Sequence, residues 1–283
     1  MKKLIFTLFP LLLTTCTYVY AQGDKYLRTS VPIPSGITHN STSRSITSLE
    51  YSLNAVLWQQ HSGEYKALCY QTFALAKMRL MEKIAAHKKD EAPIAIVTDI
   101  DETILDNSPQ QAADILNGTT YTESSWKAWT SKATAEALPG AVAFFQWADK
   151  MGVQCFYISN RRPEEKDASI KNLAEAGFPQ ADSQHVQMKE GTSDKEPRRR
   201  RIREKYKIVM LLGDNLNDFD SMFYDQSSTE RSGLVHNHSN LFGDDFIILP
   251  NAIYGEWESA IWKGKTVTAA EADSIKHNAL KTF

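Results

Sequence analysis

Short apolar runs recur along this chain, and each stops where polar residues begin: IAIVT before Asp99, VQCFYIS before Asn160, IVMLL before Gly213, and FIIL before Pro250. Runs of this length, Ile94 to Thr98, Val153 to Ser159, Ile208 to Leu212 and Phe246 to Leu249, read as strands buried on both faces, as in a parallel sheet. Helical patterns alternate with them. One runs from about Ala141 to Lys150; another, from Glu164 to Ala176, ends at Gly177, the residue type that best accepts a left-handed cap. The expected fold is therefore α/β, a doubly wound parallel sheet whose ligands bind beyond the carboxyl ends of the strands.

The regions around this core differ in kind. Lys2 and Lys3 precede an apolar run from Leu4 to Leu13 that is too short to span a bilayer and has the form of a secretory leader. Residues 1–21 read as a signal peptide with Ala21 at the cleavage point, so the protein is expected to be exported, to the periplasm or the outer membrane. A competing lipoprotein signal, Leu13-Thr14-Thr15-Cys16, would attach the chain to a membrane through Cys16, and only through lipid on that cysteine. Residues 22–45, with Pro32, Pro34 and Gly36, read as an extended arm. From residue 46 to 283 the chain reads as one catalytic domain that opens with two helices, the second running to about His87. The stretch around 107–138 is too long for a simple strand-to-helix connection and is expected to form a small helical cap, with Trp126 and Trp129 on one helix face. Of these two, Trp129 is expected to pack against the core.

A formal charge of −2 gives no reason to expect a nucleic-acid polymer as partner. The Arg198 to Arg203 cluster reads as a charged helix face, and His236 with His238 as part of a surface loop, since an i, i+2 pair alone makes a poor metal site. Cys69 and Cys155 read as buried free thiols rather than a bridge.

The chemistry sits where the strands end. In IVTDIDETILDNS, Asp99 and Asp101 are two apart and emerge on one face of the chain. Such a pair either closes a buried strand with an acidic turn or splits a phosphate ester, one carboxylate attacking phosphorus and the other protonating the leaving oxygen. A second strand, IVMLLGDNLNDF, also ends in carboxylates, Asp214 and Asp218. In a parallel sheet these four acids meet at one crevice, which calls for a bound cation or raised pKa values. Oxygen-only donors suit Mg2+, and neither run has the ligand spacing of a Ca2+-binding EF-hand. Ser159 closes a third strand and can donate to a phosphoryl oxygen, and Lys195, just before Pro197, can neutralise charge developing on phosphorus.

Together these strings resemble the haloacid dehalogenase superfamily, and within it the bacterial class C acid phosphatases, the lipoprotein e type of exported phosphatase and 5'-nucleotidase. The resemblance rests on DIDET and GDNLNDF, and also on WQQHSGEYKALCYQ, DNSP, LPGAV, YISNR and LPNAIYGEWE. It implies Asp99 as nucleophile and Asp101 as acid and then base. It implies one Mg2+ held by the Asp99 carboxylate, the Asp101 carbonyl and Asp214, with Asp218 binding directly or through water. Ser159 and Lys195 would hold the phosphoryl group, and Trp126 and Tyr254 would clamp an aromatic leaving group. The expected substrates are small phosphomonoesters, among them nucleoside 5'-monophosphates, and a homo-oligomer is compatible with the sequence. One departure concerns the pocket: after DNSP the family usually continues with aromatic residues, where this chain has Gln110-Gln111-Ala112-Ala113. Two other readings compete. One is a surface protein that binds haem or another nutrient without turnover; the other is a phosphotransferase to an alcohol acceptor.

Overall fold

The computed structural model describes residues 48–263 and 265–283, so the expected leader and arm, with Cys16, lie outside the described residues. Helices α1 (Ser48–His61) and α2 (Gly63–Ala86) come first, with Ser62 capping α2 by accepting the Tyr65 N–H at 3.0 Å. Strand β1 (Ile94–Thr98) is followed by β2 (Leu105–Asp106), α3 (Ser108–Asn117), α4 (Glu123–Thr130), β3 (Glu136–Ala137) and α5 (Ala141–Lys150). Then come β4 (Gln154–Ile158), α6 (Lys166–Ala176), β5 (Val186–Gln187), α7 (Glu196–Arg203) and β6 (Lys207–Gly213). The chain closes with α8 (Ser228–Asn237), β7 (Phe246–Ile248), α9 (Glu256–Ser259) and α10 (Ala269–Ala279). No helix among the described residues is long and apolar enough to cross a membrane.

Five strands form one parallel sheet in the order β5-β4-β1-β6-β7. The expected strands are present within one or two residues at their ends. The fifth, β5, is only two residues long and carries no periodic signal to read. Alternation within the strands builds two apolar layers. Ile94 and Ile96 of β1, Cys155 and Tyr157 of β4, and Met210 and Leu212 of β6 face the layer that α2 and α5 complete. Ala95, Val97, Phe156, Ile158 and Leu211 face the other, with Ile202 of α7 and Phe219, Phe223 and Phe246. Burial on both faces is the reason these segments are continuously apolar.

The order reverses at β1: the chain crosses to β4 on one side and later to β6 on the other. Their carboxyl ends therefore share one edge, kept in step by the Asp99 N–H donating to the Leu212 carbonyl and the Ser159 N–H donating to that of Gln187, both at 3.0 Å. Between β1 and α5, β2 and β3 pair antiparallel and frame α3 and α4 beside that edge. Gly177 ends α6 with φ +95°, as expected from its place after Ala176. Cys69 and Cys155 are buried and unbridged. His236 and His238 lie at the end of α8, not in a loop, and His238 Nδ1 stands 2.9 Å from the Leu234 carbonyl, a local helix-end contact.

Phe145 tests the first layer, because it is fully buried and its ring meets Phe144, Tyr157 and Phe178. Phe145→Ala should cost about 3 to 5 kcal/mol in chemical denaturation. Gly233 tests a surface helix: nothing lies within 4 Å of an added Cβ, so Gly233→Ala should stabilise by about 0.5 to 1 kcal/mol in the same measurement.

Candidate active site

The end of β1 turns sharply. Glu102 takes a left-handed backbone (φ +55°), and the Ile104 and Leu105 N–H groups return to the Ile100 carbonyl at 3.0 and 2.9 Å. A β-strand continuation would scatter the DIDET side chains along a surface; this turn folds them over the sheet edge. Asp99 and Thr103 are both buried, and Thr103 Oγ1 reaches Asp99 Oδ2 at 3.5 Å and donates to Asp214 Oδ1 at 2.8 Å.

Asp214 and Asp218 arrive from β6 through Gly213. A Cβ on Gly213 would overlap the Asp218 Cβ and stand 2.5 Å from its Oδ2, so only glycine lets the short helical turn Leu216–Asp218 fold back against the strand. The Asn215 N–H donates to Asp218 Oδ2 at 3.0 Å, and Asn251 Nδ2 to Asp214 Oδ2 at 2.9 Å. Carboxylate oxygens of Asp99, Asp214 and Asp218 lie within 4.8 Å of one another, a donor set and spacing that suit a hard divalent cation.

Lys195 closes this group. It precedes α7, is 3% exposed, and its ammonium is paired with Asp99 and, at 2.7 Å, with Asp218 Oδ1. Pro197 occupies the second helical position, one later than its spacing suggested. Burial pushes the Lys195 amine down, but Asp218 and Asp99 more than offset this and hold it above its ordinary value. Burial, opposed by Lys195, pushes the Asp99 carboxyl well up. Burial and the Asp218 charge push Asp214 up to about 7.

Asp101 is held apart from this group. Arg161 forks onto it, Nη2 at 2.7 Å and Nε at 3.0 Å from Oδ1, while Ser159 Oγ donates to Oδ2 at 3.1 Å and Asn107 Nδ2 to Oδ1 at 2.9 Å. Arg161 also lies over the Trp126 ring at 5.8 Å. Trp126, Tyr254, Asp99, Asp101, Lys195, Asp214 and Asp218 all line one cavity of about 780 Å3, which Gln111, Tyr121 and Glu256 also border. Trp129 packs partly against the core, and its indole N–H donates to Asn107 Oδ1 at 2.8 Å.

All eight residues singled out in the sequence thus converge at this edge, Ser159 through its bond to Asp101. The arginine cluster is different from its expected form. Arg200, Arg201 and Arg203 are exposed, but Arg198 and Arg199 are 1% and 0% exposed. Arg198 Nη1 donates to the Ser159 carbonyl and Arg199 Nη1 to the Asp218 carbonyl, each at 2.7 Å. Charge patterning could not separate these two from their neighbours, because burial of a guanidinium depends on carbonyls supplied by other elements. The apolar Ile202 beside them was the only local sign of an inward face.

A parallel sheet with nucleophile-like and metal-like carboxylates at one carboxyl edge, plus a lysine between them, defines a haloacid dehalogenase type of phosphoryl-transfer site. Comparison with known proteins narrows the class. Residues 38–257 match the model of the HAD superfamily, subfamily IIIB (acid phosphatase). A crystal structure of class C acid phosphatase from Bacillus anthracis with tungstate bound is 41% identical over 83% of this chain and 98% of its own, with a TM-score of 0.79. Another structure of the same Bacillus anthracis enzyme matches at 40% identity with the same coverage and TM-score. Acid phosphatase 1 from Solanum lycopersicum is 26% identical over 139 residues, 45% of this chain, which spans about half (53%) of that relative's length. The chain belongs to the acid phosphatase family of haloacid dehalogenase subfamily IIIB, a family of phosphomonoesterases.

Gly213→Ala should displace Asp218 and weaken divalent-cation binding at least about tenfold in calorimetric titration, while leaving a folded protein by circular dichroism.

Proposed function

We propose that the protein is an exported, Mg2+-dependent acid phosphatase that hydrolyses nucleoside 5'-monophosphates and other small phosphomonoesters through an aspartyl-phosphate on Asp99. The observation that carries this reading is the single cavity shared by the buried carboxylates, Lys195 and two aromatic side chains. A binding protein would need the cavity but not the paired acids; a phosphatase needs both.

Asp99, Asp214 and Asp218 would hold the metal, with the Asp101 carbonyl, and their clustered oxygens fit such an ion. When bound, Mg2+ supplies charge neutralisation for the phosphoryl oxygens. Lys195 adds a fixed positive charge at the Asp99 oxygen where phosphorus would be attacked. Asp99 Oδ forms the bond to phosphorus as the ester oxygen leaves, and Asp101 gives that oxygen a proton. Asp101 then takes a proton from the water that attacks the phosphoenzyme, releasing phosphate and restoring the Asp99 carboxylate. Ser159, Asn107 and Arg161 hold Asp101 in place for both transfers; the Ser159 hydroxyl, expected from the sequence to hold a phosphoryl oxygen, is given to Asp101 in this structure. Trp126 and Tyr254 accept a ring between them, a contact worth about 1 to 3 kcal/mol per base and indifferent to which base it is. Export belongs to the same proposal and rests on the leader-like residues 1–21.

Asp99→Asn should abolish phosphate release from nucleotides while the melting temperature stays near or above that of the wild type, because the buried charge is removed. Wild-type hydrolysis by this variant would overturn the mechanism. Raised carboxyl pKa values also fix a pH dependence. In the metal-free protein Asp214 holds its proton up to about 7, above its unfolded value, so this group's contribution to stability falls as pH rises through that range. A cation must displace the proton and relieves the repulsion. Mg2+ should therefore raise the melting temperature more at about pH 7.5 than at about pH 5.

A further inference from the structure

Glu102 sits inside the DIDET motif but outside the chemistry just described. It is 0% exposed, as is Asn107, and the two are joined twice: Glu102 Oε1 accepts the Asn107 N–H at 2.9 Å, and Oε2 accepts Asn107 Nδ2 at 3.4 Å. Glu102 Oε2 also accepts the Tyr254 hydroxyl. From Asn107 the same Nδ2 continues to Asp101 Oδ1 at 2.9 Å. A buried carboxylate thus links the ring that lines the cavity to the carboxylate that handles the proton.

The polarity of this network is fixed from outside. Trp129 Nε1–H can only donate, and it donates to Asn107 Oδ1 at 2.8 Å, so the Asn107 amide must present its NH2 to Asp101 and Glu102. Every donor in the network then points at an acceptor, and Glu102 is the acceptor at its centre. We propose that Glu102 is a positioning residue that fixes the Tyr254 ring and, through Asn107, the Asp101 carboxyl, so that a seated leaving group meets a correctly aimed acid. The proposal rests on the phosphatase reading above. The competing role is purely structural: Glu102 would only hold the tight turn after β1.

Glu102→Gln separates the two roles. With its oxygen still accepting the Asn107 N–H, the new amide puts its NH2 where Oε2 was; the Tyr254 hydroxyl can turn to accept it, but the Asn107 NH2, which cannot flip away from Trp129, faces it as a donor, so the link toward Asp101 is the one lost. Purified full chain with Mg2+ is assayed on a nucleoside 5'-monophosphate, whose alkoxide needs a proton to leave, and on 4-nitrophenyl phosphate, whose phenolate does not. The expected result is a loss in kcat/KM of about tenfold or more on the nucleotide and less than about threefold on the nitrophenyl ester. Tyr254→Phe keeps the ring and deletes its anchoring hydroxyl; it should raise KM for both esters without that split. Equal losses on the two esters in Glu102→Gln, or a wild-type KM in Tyr254→Phe, would overturn the proposal. If Glu102→Gln does not fold, Glu102→Asp, which keeps an acceptor but shortens its reach to Asn107, is read for the same split between the two esters. Inactivity of the wild-type protein on both esters would overturn the phosphatase reading itself, and this inference with it.

Discussion

Mutual repulsion among carboxylates is the constraint on which the rest of this site depends. Asp99, Asp214 and Asp218 come within 4.8 Å of one another in a largely buried setting, where an uncompensated charge costs several kcal/mol. The chain answers with one ammonium and a ring of neutral donors. Lys195 pairs with Asp99 and Asp218; Thr103 and Asn251 each donate to a different oxygen of Asp214; and the Asn215 N–H serves Asp218. That compensation is partial: burial first, and the neighbouring carboxylates second, hold the Asp99 and Asp214 carboxyls above their ordinary values. A site balanced in this way has an appetite for a cation.

Helix α7 does more than carry the lysine at its start. Arg198 and Arg199, one turn into the helix, hold the Ser159 and Asp218 carbonyls. One short helix therefore ties together the ends of β4 and β6 and sets Lys195 between the acids of β1 and β6. Burying two guanidinium groups is costly unless their donors are used: Arg198 also donates to Asn160 Oδ1 and Arg199 to Glu196, while Arg199 Nη2 stays buried without a partner. Asp101 is supported by a different set, Arg161, Ser159 and Asn107, so Asp99 and Asp101 have separate hydrogen-bonding surroundings although they are two residues apart.

The cavity beside these groups is bordered by aromatic rings. Trp126 comes from α4 and Tyr254 from the loop after β7, so the two rings belong to distant parts of the chain. After DNSP this chain places Gln111 on the cavity wall, and Tyr121, just before α4, brings another ring to it, 6.2 Å from Trp126. The pocket edge that the sequence left open is thus a mixture of amide and phenol.

By itself, the sequence determined the parallel α/β sheet, because strands buried on both faces must be largely apolar, and the runs 94–97 of β1, 155–158 of β4 and 208–212 of β6 are. It also determined the carboxylates, since Asp99, Asp101, Asp214 and Asp218 follow strand ends directly and strand ends in such a sheet share an edge. What it could not determine was which charges turn inward. Arg198 and Arg199 look like Arg200 and Arg201 in the sequence, and Glu102 and Asn107 look like ordinary turn residues. Only the tertiary structure decided these, because a buried polar group is defined by its partners, and those partners lie on elements up to 152 residues away, as Tyr254 does from Glu102.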